Sequence, residues 1–292
     1  MRGRTALVTL FVGLSAAAAS AQHKAPAAIP NDLYCSGVVT TEAVPHDTYV
    51  ITGEQSDYKI TFQEGDYVYI NKGSSHGVKA GDAFSVVRPV EDPFKVQWTK
   101  WQHSILRKMG TVWEDEGSVR IVVAQPEVSI GQVEHSCGYL QRGDLALPFV
   151  ERLSPPIKSA ANFDRFAPPS GKPLAMVVVG KSFMEQVGTN DVVYVNLGRN
   201  QGVKVGDYFR VFRYTGTQHE MAYQTSRSAF NANGEWGPTF GFGSAPSKYH
   251  WNNVPRQVLG EGVVVRAGTN SASVLLTFTL REIYAGDYVE LE

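Results

Sequence analysis

The sequence predicts an all-β protein built as two tandem small β-barrels, and three observations carry that prediction. Residues 66–88 (DYVYINKGSSHGVKAGDAFSVVR) recur as residues 191–213 (DVVYVNLGRNQGVKVGDYFRVFR) at a constant offset of 125, identical at 13 of 23 positions. Chance gives about one or two, so the chain contains an internal duplication. Within each copy apolar side chains alternate: Val68 and Ile70 against Tyr67 and Tyr69, Val193 and Val195 against Val192 and Tyr194. That period of two belongs to strands. Gly-Asp pairs punctuate both copies, at Gly65-Asp66, Gly81-Asp82, Gly143-Asp144, Gly206-Asp207 and Gly286-Asp287. Glycine there supplies positive φ, and the carboxylate accepts from the free N–H groups of the turn.

From the N-terminus, Arg2 and Arg4 precede an uncharged run over 5–18 that ends in Ala19-Ser20-Ala21. A positive start, a short apolar middle and a small-residue cleavage site describe a secretory signal peptide over 1–21. The alanine-padded run is weak for a span that needs about 20 strongly apolar residues, so no membrane span is expected after cleavage. Residues 22–31 (QHKAPAAIPN) read as a flexible leader.

The first barrel repeat is expected over 32–150 and the second over 173–292. Between them, 151–172 carries Pro155-Pro156 and Pro168-Pro169, the mark of a semi-rigid linker. Further strands are expected at 119–123, 131–135, 263–266 and 273–279. Met109-Gly110-Thr111-Val112 is aligned with Leu259-Gly260-Glu261-Gly262 as the looser downstream part of the repeat.

One helix is expected. Phe94, Trp98, Trp101, Ile105 and Met109 fall at helical spacing after Asp92-Pro93, which predicts a helix over 93–109 covering a barrel end. The second repeat also contains an insertion that the first lacks, 214–253, with Tyr223, Phe230, Trp236, Phe240, Phe242, Tyr249 and Trp251 among small polar residues. Such aromatics either stack on sugar rings and anchor a protein partner, or pin the loop onto its own barrel. Tyr223, Phe230, Trp236, Phe240, Tyr249 and Trp251 form the expected binding surface.

A formal charge of −1 and a pI near 6.7 supply no field for nucleic acid. Cys35 and Cys137 are the only cysteines; with export, they are expected to form a disulfide. The seven histidines show no metal-ligand spacing, and neither a phosphate loop nor a nucleophile elbow occurs. No catalytic residue, metal site or cofactor is therefore expected. Glu114-Asp115-Glu116 reads as a solvated hairpin tip. Gly81, Asp82, Gly143, Asp144, Gly206, Asp207, Gly286 and Asp287 are assigned to turns, including the Arg142-Gly143-Asp144 tripeptide.

The repeated GVKAGDAFSVVR and GVKVGDYFRVFR, each preceded by VYINKG or VYVNLG and followed by a Gly-Asp strand, resemble the C-terminal domain of flagellar assembly protein T. They are also similar to the β-rich region that follows LysM modules in bacterial envelope proteins. The resemblance covers about half of each copy. It implies a small β-barrel in a Gram-negative periplasm that serves assembly or attachment. The expected function is that of a non-enzymatic, exported cell-envelope protein, a structural or binding module for a protein partner. A peptidoglycan- or glycan-binding module is the alternative, followed by a secreted carboxylate-dependent hydrolase.

Overall fold

The computed structural model describes residues 27–214 and 255–292. The expected signal peptide, residues 22–26 of the expected leader and residues 215–253 of the aromatic insertion, with Tyr223, Phe230, Trp236, Phe240, Tyr249 and Trp251, lie outside the described residues.

The first half contributes β1 (Val38–Thr40), β2 (Val50–Gly53), β3 (Thr61–Phe62), β4 (Tyr67–Ile70), β5 (Ala83–Val90), β6 (Thr111–Ala124), β7 (Ser129–Ser136), β8 (Leu140–Gln141) and β9 (Leu145–Pro148). The second contributes β10 (Leu174–Gly180), β11 (Gln186–Val187), β12 (Val192–Val195), β13 (Tyr208–Arg213), β14 (Gln257–Ala267), β15 (Ala272–Thr279), β16 (Ile283–Tyr284) and β17 (Tyr288–Leu291). Strand order in the second half is β10-β12-β15-β14-β13-β17, closed into a barrel. In the first it is β2-β4-β7-β6-β5-β9, with β1 added beside β6. Position by position the orders are the same, and the protein is all-β.

The halves differ in closure. β10 pairs with β17 over Leu174–Met176, whereas β2 and β9 meet through one bridge, Tyr49 to Leu145. Around it, Val50 N–H donates to the Asp144 carbonyl at 2.8 Å and Gly143 N–H to the Val50 carbonyl at 2.8 Å. So in place of the two expected barrels there is one closed barrel and one seven-stranded sheet in the same order.

Equivalent side chains fill both interiors. Val68, Ile70, Phe84, Val86, Ile121 and Val133 sit in the first core; Val193, Val195, Phe209, Val211, Val264 and Leu276 occupy the matching places in the second. Both copies also share a β-bulge, between Val86 and Val87 in one register and between Val211 and Phe212 in the other. Those registers pair Val86 with Gly117 and Val211 with Gly260. Gly117, not Gly110, is therefore the counterpart of Gly260. Gly110 instead ends a helix, where an added Cβ would lie 2.1 Å from the Thr40 carbonyl oxygen.

Six aspartates close six turns in one way. Asp66, Asp82, Asp144, Asp191, Asp207 and Asp287 each accept from the backbone N–H three residues upstream, at 2.7–2.8 Å. Gly65, Gly81, Gly143, Gly206 and Gly286 precede five of them with φ between 88° and 101°. Asn190 precedes the sixth at φ 74°; asparagine is among the few non-glycine residues that tolerate this region.

A third apolar layer joins the halves. Leu33, Val39, Met109 and Val112 from the first pack against Met176, Val178, Tyr194, Val263 and Leu275 on the outside of the barrel. This explains why β12 is buried at all four positions while its counterpart β4 alternates. The expected helix contributes, but it is shorter than the periodicity predicts: α2 is Gln102–Met109, after a short α1 at Pro30–Tyr34. Trp101 takes φ 67° and is 70% exposed, and Phe94 is 82% exposed. Asp92 accepts from Phe94 N–H, a local turn that competes with helix there. From α2, Gln102 Nε2 donates to the Val178 carbonyl at 2.7 Å, so the helix sits between the halves and does not plug a barrel end.

Residues 27–31 of the expected leader are engaged: Ala28 is buried and its N–H donates to the Pro155 carbonyl. The linker is docked as well, with Lys158 N–H donating to the Tyr208 hydroxyl and Ser170 N–H to Glu290.

The disulfide Cys35–Cys137 ties this N-terminal segment to the residue that follows β7, across 102 residues. In the chain-entropy account a loop of that size contributes up to about 4–5 kcal/mol. Thermal unfolding of the Cys35→Ser/Cys137→Ser variant is expected to show a loss of about 2–4 kcal/mol; unchanged stability would contradict this role.

Candidate functional site

A buried ion-pair cluster lies between the halves, around Asp115 of β6. The alternation of β6 turns Asp115 away from the neighbours Glu114 and Glu116. Its side chain is 2% exposed. Arg152, from the linker, donates to both carboxylate oxygens at 2.8 and 2.9 Å. Arg266, from β14 of the barrel, approaches the same oxygens at 3.2 and 3.4 Å. Gly37 N–H, from the N-terminal segment, donates at 2.9 Å. One carboxylate thus receives hydrogen bonds from three separate stretches of chain. Arg152 and Arg266 hold its pKa below the ordinary carboxylate range despite the opposing effect of burial.

Gly37 is required at this place. It has φ 62°, and a Cβ would lie 2.4 Å from the Tyr194 hydroxyl and 2.8 Å from the Trp113 carbonyl oxygen. The Tyr194 hydroxyl donates to the Ser36 carbonyl at 3.1 Å, and Ser273 donates to the Gly37 carbonyl at 2.8 Å. Ser271 donates to the Val39 carbonyl. Residues 36–40 are therefore held by β6 on one side and by barrel side chains on the other. Burial pushes the Tyr194 hydroxyl pKa far up, so it serves as a donor at any physiological pH.

Above this clamp the halves leave a cleft of about 630 Å³, within the range of ligand sites. Val87, Leu147 and Val150 form one wall, Val203, Val205 and Val265 the other, with Arg152 and Arg266 among the lining residues. A smaller recess of about 270 Å³ shares Val87, Leu147, Arg199 and Arg266 with it.

A second charged group lies in the first half. Arg88 donates to Asp144 through Nε and Nη2 at 2.7 and 2.8 Å, and through Nη2 to the Tyr139 carbonyl. The barrel repeats this latch with Arg213, Asp287 and the Glu282 carbonyl. What the first half adds is Glu116, 3.1 Å from Arg88 Nη1 with its side chain 6% exposed. Offset by 143 residues, its counterpart is Leu259, fully buried in the barrel core. Burial pushes Glu116 up to about 7, against the pull of Arg88.

The acidic triplet at 114–116 is no hairpin tip: it lies within β6, with Asp115 and Glu116 buried. The eight turn residues are at turns, spread over both halves. The expected aromatic surface lies outside the described residues. Cys35, His135 and Cys137 bring ligand atoms within 4.8 Å, with His135 Nε2 3.2 Å from Cys35 Sγ, but both sulfurs are joined in the disulfide and offer no thiolate. Sequence reasoning missed Arg152, Arg266 and the burial of Asp115. A signal existed, because Asp115 and Glu116 stand where the second copy has Val258 and Leu259.

No protein-family model matches this chain, and no curated protein matches its sequence.

Glu116 makes a pH prediction. A carboxyl raised in the folded state binds its proton more tightly there than in the unfolded chain. Its contribution is complete below about pH 4.5 and declines as pH rises to about 7. The Glu116→Gln variant is expected to lose that decline and to exceed the parent at pH 8 by on the order of 2–3 kcal/mol. Parallel stability profiles of parent and variant between pH 4.5 and 8 would contradict the assignment.

Proposed function

We propose that this protein is a non-enzymatic, exported module of the cell envelope that holds a protein partner on a rigid two-unit scaffold. The observation that carries this reading is the N-terminal segment 36–40, hydrogen-bonded to the first sheet and to the barrel at once. Such bonding opposes hinge motion between the units and keeps the cleft between them preformed. A preformed surface loses less conformational entropy on binding, which favours steady attachment.

Chemistry in the buried groups supports the same reading. Asp115, Asp144 and Asp287 are each clamped by arginine and backbone N–H groups, an arrangement that fixes chain segments to one another. Export is supported by the charge and small-residue pattern of 1–21 and by the disulfide, a bond that an oxidising compartment sustains. Among the described residues no helix is long and apolar enough to cross a membrane.

The test combines fractionation with in-cell photocrosslinking. A tagged full-length chain is expected in the osmotic-shock fraction with its N-terminus near Gln22. A photoreactive residue at Val150, 70% exposed on the cleft wall, is expected to give one discrete protein adduct. Retention in the cytoplasm, or crosslinking to glycan strands in place of protein, would overturn the proposal.

A further inference from the structure

The clamp that joins the units is unbalanced in charge. Asp115 supplies one negative charge, while Arg152 and Arg266 supply two positive ones. Their side chains are 16% and 29% exposed, and both line the cleft. The excess cation therefore sits on a floor between apolar walls, where screening by water is weak and attraction for an anion is strengthened. Of the other charges nearby, Arg199 is paired with Glu42, Glu151 and Lys204, also on the lining, offset one another in sign, and Glu114, close enough to act on the Tyr194 hydroxyl, is not among the lining residues.

The apolar lining continues outward beyond the charged floor. Leu153 is 79% exposed, Val150 70% and Val205 37%, so large hydrophobic side chains border the opening as well as its interior. A small enclosed anion would leave that border uncovered. An extended polypeptide crossing the cleft would cover it on both sides of its charged group.

From this we infer that the inter-unit cleft binds a partner polypeptide segment bearing one acidic side chain flanked by large apolar residues, the carboxylate seated on Arg266 and Arg152. The inference rests on the protein-partner reading above and specifies the chemistry of that partner. Arg266 is the discriminating residue. It lies farther from Asp115 than Arg152 does; its removal takes away the barrel's arm of the clamp but leaves the Arg152–Asp115 pair, the Gly37 hydrogen bond and the bonds of Tyr194 and Ser273 to residues 36–37 in place.

The experiment uses the full chain and fluorescein-labelled peptides of sequence Ser-Val-Leu-Glu-Leu-Val-Ser, amidated at the C-terminus, with Gln in place of Glu as the control. Anisotropy titration is expected to show the Glu peptide binding at least tenfold more tightly than the Gln peptide. The preference should shrink between 50 and 500 mM salt and vanish in Arg266→Gln. Leu153→Ser, at an exposed position, is expected to weaken both peptides several-fold, and thermal melts establish that both variants are folded. Equal affinity for the two peptides, or no binding of either up to 1 mM, overturns the inference. Decanoate displacing nothing is expected; saturable decanoate binding without peptide binding also overturns it. If the Val150 photocrosslink forms while the Glu preference is absent, the partner reading stands and only the anionic character falls.

Discussion

The carboxylate of Asp115 is the interaction on which the rest of the architecture depends. Two β-units copied from one ancestor have no inherent reason to sit in fixed relation, because each fills its own core. Beside the apolar layer and the bonds of residues 36–40, Asp115 supplies the reason by binding the Gly37 N–H, the linker through Arg152 and the barrel through Arg266. Taking a carboxylate out of water is costly, and here three donors compensate. The same group defines the cleft floor and leaves its excess positive charge. Fold, inter-unit geometry and proposed binding chemistry thus share one atom cluster.

The duplication also shows how one template diverged by changing which faces are wetted. In the first half Tyr67 and Tyr69 point outward toward solvent, while Val192 and Tyr194 at the same positions of the barrel are buried under the N-terminal segment. At the shared bulge the chemistry changes while burial does not. Leu259 fills the barrel interior, and Glu116 brings a carboxyl to Arg88. The Arg-Asp latches at Asp144 and Asp287 were left alone, as expected of a turn lock that each unit needs for itself.

Much of the fold was legible because it rests on local rules. Period-two alternation located strands, and Gly-Asp marked turns whose aspartates accept from the chain three residues back. The Cys35–Cys137 bridge also followed from cysteine arithmetic. What sequence reasoning missed depends on tertiary partners. The triplet at 114–116 looks solvated until Arg152, 37 residues away, and Arg266, 151 away, are brought to it. Trp98 and Trp101 fit helical spacing, but the turn at Asp92 and the left-handed Trp101 delay the helix to Gln102. The incomplete closure of the first sheet lies at Tyr49 and Leu145, outside the repeated segment. A stricter alignment, matching Gly117 to Gly260, would have set Asp115 and Glu116 opposite Val258 and Leu259 and marked both as departures from the template.

Differential scanning calorimetry of the Asp115→Asn variant shows whether this carboxylate joins the two units. The parent protein is expected to unfold in one transition, because the units share the clamp and the apolar layer around it. Removing the charge leaves two guanidinium groups without a carboxylate in a mostly buried place, at a cost of about 3–5 kcal/mol. The variant should then melt in two resolved steps, with the closed barrel surviving the first. A single transition within about a degree of the parent would show that the units are held together by something else.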